Sequence, residues 1–358
     1  MLNLPSRPLK KFLVDEDDEF IKEAKRKRNY TEPCWCGSKL QYKKCHRTRS
    51  SAKPVSLGKA RSEQRKIFWK SRECMHPSAS PETCRGRVID SHTIQRKGPL
   101  AKIVDTTNHV YHIETDHKSF EFKSKSLSWR KASVFPGYCS HHDTELFREL
   151  EAEAFEGTKK QCVLQSFRSV CSELYKKRAL VESLNHQKRT IDAGRDLHRQ
   201  IEIQLSINRG IEGNTKSIEE LEQLQATFHR AILMEDWDNF ECKVYFFEGE
   251  IDLISTAVIQ VDYDFNGKQF VDLFDLEQDA ETISYSILST DSGGAIMFCW
   301  PKESEYLGDF IASFNQIENK NKGDIFAQYC FLSSESTFFS KTWWDQLSEQ
   351  QQDRIFSL

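Results

Sequence analysis

The runs Ile251–Phe265 (IDLISTAVIQVDYDF), Thr282–Thr290 (TISYSILST) and Gly294–Trp300 (GAIMFCW) decide the fold class. Each is rich in β-branched and aromatic residues and short enough for a strand. Cys242–Phe247 (CKVYFF) and Lys268–Leu276 (KQFVDLFDL) read the same way. Asn266-Gly267 between two of these runs signals a hairpin, and Gly293-Gly294 marks a further turn. Helical spacing returns near Glu303–Ile317, Asp324–Phe331 and Trp343–Phe356. Residues 238–358 therefore read as an α+β domain. Asp262, Asp264, Asp272 and Asp275 within it read as a solvated sheet face.

Working back from that domain, the period changes from two to about 3.6. Leu146, Phe147, Leu150 and Phe155 sit at helical spacing. So do Leu164, Phe167, Val170, Leu174, Val181 and Leu184, and then Ile191, Leu197, Ile201 and Leu205. Gly210 and Gly213 break the pattern, and Asn214-Thr215 cap a last helix from Lys216. Residues 143–236 thus form a long helical hairpin, a surface suited to self-association into a homo-oligomer. Residues 1–30 read as an N-terminal arm, 31–50 as a compact Cys/His module, and 65–142 as a second Cys/His domain with short strands. Those strands are Arg87–Ile89, His109–Ile113 and Phe120–Phe122. The fold class is α+β, multidomain, as 358 residues exceed an ordinary single core.

Composition narrows the function. Hydrophobic residues make up 38% and charged residues 29%, which suits a globular chain. No apolar run is long enough to span a membrane, and the first twenty residues lack a secretory apolar core. The expectation is a cytoplasmic, bacterial-type protein with no membrane partner. In that reducing compartment eleven cysteines point to metal sites or buried thiols rather than disulfides. Cys162 and Cys171 are too far apart along a helix for one metal, and Cys242, Cys299 and Cys330 read as buried thiols. The net charge of −3 conceals an asymmetry. Residues 1–70 carry 19 Lys/Arg against 8 Asp/Glu, while residues 216–358 carry 9 against 27. The basic front half suits phosphate or an acidic protein, and the acidic back half would repel nucleic acid.

The most specific feature is Pro33–His46, PCWCGSKLQYKKCH. Cys34, Cys36, Cys45 and His46 offer three thiolates and an imidazole within thirteen positions, the donors of tetrahedral Zn²⁺. So short a segment has no core of its own, so metal binding supplies its folding energy. The run resembles the SEC-C motif, named for the C-terminus of the bacterial SecA translocation ATPase. Gly37, Ser38, Tyr42, Lys43 and Lys44 match that pattern beside the four ligands, and Lys39-Leu40-Gln41 departs from it without touching a ligand. The resemblance covers about fifteen residues and implies a structural zinc appendage. It does not imply SecA activity, since the chain has no GxxxxGK[ST] phosphate loop.

A second cluster is more widely spaced. Cys74 and Cys84, then strand-like runs, then Cys139-Ser140-His141-His142 entering a helix follow the layout of a treble-clef finger. Its ligands are Cys74, Cys84, Cys139 and His142, with His141 as the alternative to His142. Ser91-His92-Thr93-Ile94 within this frame resembles the catalytic segment of HNH endonucleases. That resemblance implies His92 as general base, Asn108 as the central Asn, and a catalytic Mg²⁺ or Mn²⁺ beside the two zinc sites. Ser91 stands where that family carries an acid, although Asp90 is adjacent, and no His lies between Asp143 and His186. Among the other histidines, His109, His112 and His117 fall in a hairpin, from which His112 could approach His92. Trp129, Phe135 and Tyr138 interleave with Lys123, Lys125, Arg130 and Lys131, and are read as packing around the finger rather than as a stacking platform. Three functions remain: a zinc-organised binder of nucleic acid or a protein partner, an HNH-like endonuclease of the defence or mobile-element kind, and an adaptor acting through the hairpin.

Overall fold

The computed structural model describes residues 18–115 and 121–356. His117 and the first seventeen residues of the expected arm lie outside them. The described residues divide into two compact units: 71–173 with 223–356, and 18–70 with 174–222. In chain order the elements begin with α1 (Glu19–Lys25), α2 (Leu57–Phe68), β1 (Val88–His92) and α3 (Ala101–Ile103). There follow β2 (His109–Thr115), β3 (Phe122–Ser128), β4 (Val134–Cys139), α4 (Ser140–Ala152), α5 (Lys159–Gln187) and α6 (Leu197–Met234). The remainder is β5 (Phe240–Glu248), β6 (Leu253–Gln260), β7 (Thr282–Ser289), β8 (Gly293–Pro301), α7 (Leu307–Asn315), α8 (Asn319–Ser333), β9 (Thr337–Phe339), α9 (Lys341–Gln346) and α10 (Glu349–Phe356). The class is α+β. No described helix is long and apolar enough to cross a membrane.

The larger unit is built on a seven-stranded antiparallel sheet in the order β3-β2-β9-β6-β7-β8-β5. Strand alternation gives its two faces different chemistry. On β7 and β8, Ile283, Tyr285, Ile287, Ile296, Phe298 and Trp300 join an aromatic core with Phe310, Phe314 and Phe326 of α7 and α8. The intervening serines of β7 point the other way, toward α5. There Ser169 Oγ lies 2.7 Å from Thr256 Oγ1, Thr256 lies 2.9 Å from Ser286, and Gln165 donates to Ser286 at 3.3 Å. A helix buried on such a face is held best where hydroxyls find partners, and Ser169, Thr256, Ser286 and Gln165 do so, while the Ser166 and Ser284 hydroxyls are buried without one. A separate two-stranded sheet, β1 against β4, leads straight into α4.

This sheet joins segments that the sequence reading kept apart. β2 and β3 come from the 65–142 segment, and β9 (from the 238–358 segment) pairs with both β2 and β6. Lys268–Leu276 is not a strand. It belongs to the long connection from β6 to β7, where Asn266-Gly267 forms a local turn carrying one isolated bridge, Tyr263 to Gln269. Gly293-Gly294 opens β8 rather than forming the turn before it. The helical stretch also divides differently: α6 runs unbroken through Gly210 and Gly213, and the interruption falls between α5 and α6. Gly194 occupies it at φ +73°, with a would-be Cβ only 2.7 Å from Pro54 Cγ and 2.9 Å from the Ala52 carbonyl. Only glycine fits that crowded left-handed position. The expected terminal helix is two, α9 and α10.

Candidate metal centres

In the smaller unit, the chain reverses at Gly37 (φ +74°) and Lys39 (φ +61°), and Cys34 N donates to Leu40 O at 2.8 Å. One 3-10 turn, Tyr42–Lys44, then returns Cys45 and His46 to the same spot. The four donor atoms of Cys34, Cys36, Cys45 and His46 all lie within 4.8 Å of one another, and all four residues are buried. Cys36 Sγ is 3.6 Å from Cys45 Sγ, and His46 Nδ1 is 3.2 Å from both Cys34 Sγ and Cys45 Sγ. A tetrahedron of thiolates at the Zn–S bond length has edges of about 3.7 Å. Three thiolates and an imidazole at this spacing fit Zn²⁺. Hydrogen bonds from the Cys34 and Cys45 thiols lower Cys36 against its burial, favouring the thiolate.

The centre is walled by Ile21 and Ala24 of α1 and by Ile201 and Leu205 of α6. Trp35 covers the imidazole, its ring centroid 4.4 Å from that of His46. The other nitrogen of His46, Nε2, meets Asp192 Oδ2 at 2.7 Å. Asp192 sits in the α5–α6 connection, fully buried. It also accepts from Arg49 Nη1 and Gln204 Nε2, each at 2.8 Å. Burial alone would raise this carboxyl, but hydrogen bonds from His46 and Gln204 and the Arg49 charge hold it below its ordinary value. Arg49 Nη2 in turn lies 3.6 Å from Cys45 Sγ. A carboxylate behind the histidine fixes the ring and raises its basicity as a ligand. Sequence reasoning missed Asp192, Arg49 and Gln204. Asp192 follows His46 by 146 positions, and no local pattern connects them.

The second centre lies in the larger unit. Cys139 ends β4 and is the N-cap of α4, which puts His142 in the first turn of that helix. Met75 N donates to Gly137 O at 2.9 Å, drawing the Cys74 loop against β4. The donor atoms of Cys74, Cys84, Cys139 and His142 also lie within 4.8 Å of one another. His142 Nδ1 is 3.4 Å from Cys74 Sγ and 3.7 Å from Cys84 Sγ. Burial works against ionising Cys139, but backbone N–H groups of His142 and Arg85 lower its thiol, as expected at a helix start. The donor set again suits Zn²⁺. Of the two neighbouring histidines, His142 turns inward, where its ring stacks on His76 at 4.0 Å. His141 faces outward and meets Glu145 Oε2 at 3.2 Å.

The residues tied to the nuclease resemblance are placed less tellingly. His92 ends β1 opposite Val134 and is half-buried, with Nε2 buried and without a hydrogen-bond partner. Burial, then the charges of Arg96 and Arg168, push its pKa down to about 4. Asn108 holds a left-handed turn (φ +62°), its N–H bonded to Asp105 O and its carbonyl accepting from Trp129 N. His112 lies near Glu114 and the Phe338 ring. Phe135 and Tyr138 are core residues. Among the described residues, no third group of three or more His, Cys, Asp or Glu converges as a metal site.

A protein-family model, the SEC-C motif, matches residues 31–47, which span the first centre. No curated protein and no solved structure matches the chain.

Proposed function

We propose that this chain is a two-zinc binding protein whose basic, SEC-C-bearing unit docks onto the phosphates of nucleic acid. The observation that carries the reading is the charge around the first centre. From Pro33 to Ser62 the chain has eight Lys or Arg and no Asp or Glu. Arg49 is spent on Asp192, while Lys39, Lys43, Lys44, Arg47, Lys53, Lys59 and Arg61 are exposed. Arg47 lies over the exposed Tyr30 ring at 3.7 Å, a pairing that suits a base or a sugar edge. Residues 18–70 with 174–222 carry 25 Lys/Arg against 13 Asp/Glu, while residues 71–173 with 223–356 have a net charge of −15. Zinc would hold the basic side chains on a fixed scaffold, and each phosphate neutralised would release counterions.

The test is fluorescence anisotropy of zinc-loaded protein on labelled duplex and single strands across a salt series. The charge-reversed variant K43E/K44E/R47E, with unchanged zinc content, should bind more weakly. Its log–log salt slope should be shallower by about 0.9 for each phosphate that the variant no longer neutralises. Equal binding by both proteins, or none at low salt, refutes the reading and favours an acidic protein partner or the helical adaptor.

A second reading rests on the β1–β4–α4 arrangement around the second centre, which supports the treble-clef, HNH-like assignment. His92 would act as general base, with Asn108 and an added Mg²⁺ or Mn²⁺ completing the site. Cleavage of plasmid or single strands that disappears in folded His92→Ala supports it; no cleavage with either metal ends it.

A further inference from the structure

Three of the cysteines outside both metal centres meet where α5 lies against the β5–β8 edge of the large sheet. Cys242 on β5 and Cys299 on β8 are direct cross-strand partners. Their Sγ atoms are 3.4 Å apart. Opposed Cα atoms of an antiparallel pair are about 4.5 or 5.5 Å apart, and both distances lie within the roughly 4.4–6.8 Å that a disulfide spans. The backbone spacing of a direct cross-strand pair therefore permits a bond between the sulfurs. Cys162 of α5 stands close enough to Cys242, from the helix side, for the two thiols to perturb each other.

The three thiols are not equivalent. Cys162 and Cys299 are buried, whereas Cys242 is partly exposed on β5, an edge strand that among the described residues pairs with β8 alone. The neighbouring thiols of Cys162 and then Cys299 lower the Cys242 thiol, and the Lys159 charge adds to this against the effect of burial. Burial pushes Cys299 up. The less buried of the three cysteines is thus the one best able to ionise, and a buried thiol waits across the strand. Oxidation-sensitive cysteines share this pairing of an exposed thiolate with a resolving thiol.

We propose that Cys242 and Cys299 are an oxidation site, converted by hydroperoxides into a cross-strand disulfide that thiols reduce again. The Cys242 thiolate attacks one peroxide oxygen. The S–O bond forms as the O–O bond breaks, and the leaving oxygen departs as hydroxide or alkoxide and takes up a proton. Cys299 then loses its proton and attacks the Cys242 sulfur, expelling the sulfenic oxygen as hydroxide, which that proton converts to water. Two thiols lose two electrons in all, and the peroxide gains them. The product ties the sheet edge covalently to β8.

The experiment treats the full-length, zinc-loaded protein with hydrogen peroxide, alkylates free thiols, and maps peptides by mass spectrometry without reduction. Zinc release is followed in parallel. The expected result is a Cys242–Cys299 linked peptide, lighter by two hydrogens than the separate pair. It should form before zinc is lost, vanish on adding dithiothreitol, and leave Cys162 alkylated. In Cys299→Ser the link is lost and a dimedone adduct appears on Cys242; in Cys242→Ser neither forms. A link from Cys242 to Cys162, or free Cys242 and Cys299 at doses that already release zinc, overturns the proposal. The wild-type map decides this even if a variant fails to fold.

Discussion

Replacing Asp192 by Asn tests whether the first centre is integral to the helical part of its unit rather than a pendant finger. The carboxylate serves three donors: Oδ2 takes His46 Nε2 at 2.7 Å and Gln204 Nε2 at 2.8 Å, and Oδ1 takes Arg49 Nη1 at 2.8 Å. Asn has one acceptor oxygen, so in any rotamer its NH₂ group faces a donor. The least costly rotamer keeps His46 and Gln204 and turns the amide nitrogen toward Arg49. That leaves a guanidinium, only 9% exposed, without its counter-charge. Losing one partner of a buried ion pair costs about 3–5 kcal/mol, and Asn should sit at the low end, about 3 kcal/mol, because two hydrogen bonds survive. Part of that loss appears at the metal. Removing a carboxylate behind a ligating histidine weakens metal binding by about 10–100-fold, which is about 1.4–2.8 kcal/mol. Competition with a chromogenic chelator reads the affinity, and thermal melting at saturating zinc reads the stability. Asp196→Asn, in the same connection but exposed, is the control: its amide oxygen can still cap Arg199 N of α6, so zinc affinity should be unchanged and stability should fall by no more than about 1 kcal/mol. Zinc affinity for Asp192→Asn within about twofold of wild type would refute the argument, because it would mean the charge of the buried carboxylate does not raise the basicity of His46 as a ligand.

Two further outcomes follow from the same geometry. Cys139→Ser should lower bound zinc from two equivalents to one while the chelator titration of the first centre stays as in wild type; loss of both ions would show the centres to be coupled. His92 should make the fold acid-sensitive. Its pKa is depressed to about 4 in the folded chain, against about 6.5 unfolded, so the unfolded state takes the proton first as pH falls. The stability is present above about pH 6.5 and is lost on descending to about pH 4, by about 2 kcal/mol once the ring's partial exposure is discounted. Urea titrations at pH 7 and pH 4.5 should show a smaller difference in His92→Asn, and an unchanged difference would remove His92 from the account.

What could be read in the sequence, and what could not, depends on how far each interaction reaches along the chain. Cys34, Cys36, Cys45 and His46 stand within thirteen positions, so spacing alone names a tetrahedral donor set, and β6, β7 and β8 declare themselves by composition. Lys268–Leu276 has the same composition yet forms no strand. Asp264 Oδ1 takes the backbone N–H groups of Asn266 and Lys268, each at 2.8 Å, while Asp272 and Asp275 do the same for Phe274 and Glu277. Those carboxylates offer the backbone a local partner that competes with a sheet ladder. The break assigned to Gly210 and Gly213 failed for the opposite reason. Asn214 and Thr215, read there as caps, bond back to the carbonyls of Gly210 and Ile211 inside one continuous helix. A Cβ on Gly210 would stand 3.4 Å from Leu184 Cδ1, so that glycine marks close packing against α5. Side chains of Asp, Asn and Thr can bond to the backbone in either direction, and tertiary packing decides which. Asp192 shows the same limit at the metal centre: its role comes from His46 and Arg49, and both reach it only through the folded chain.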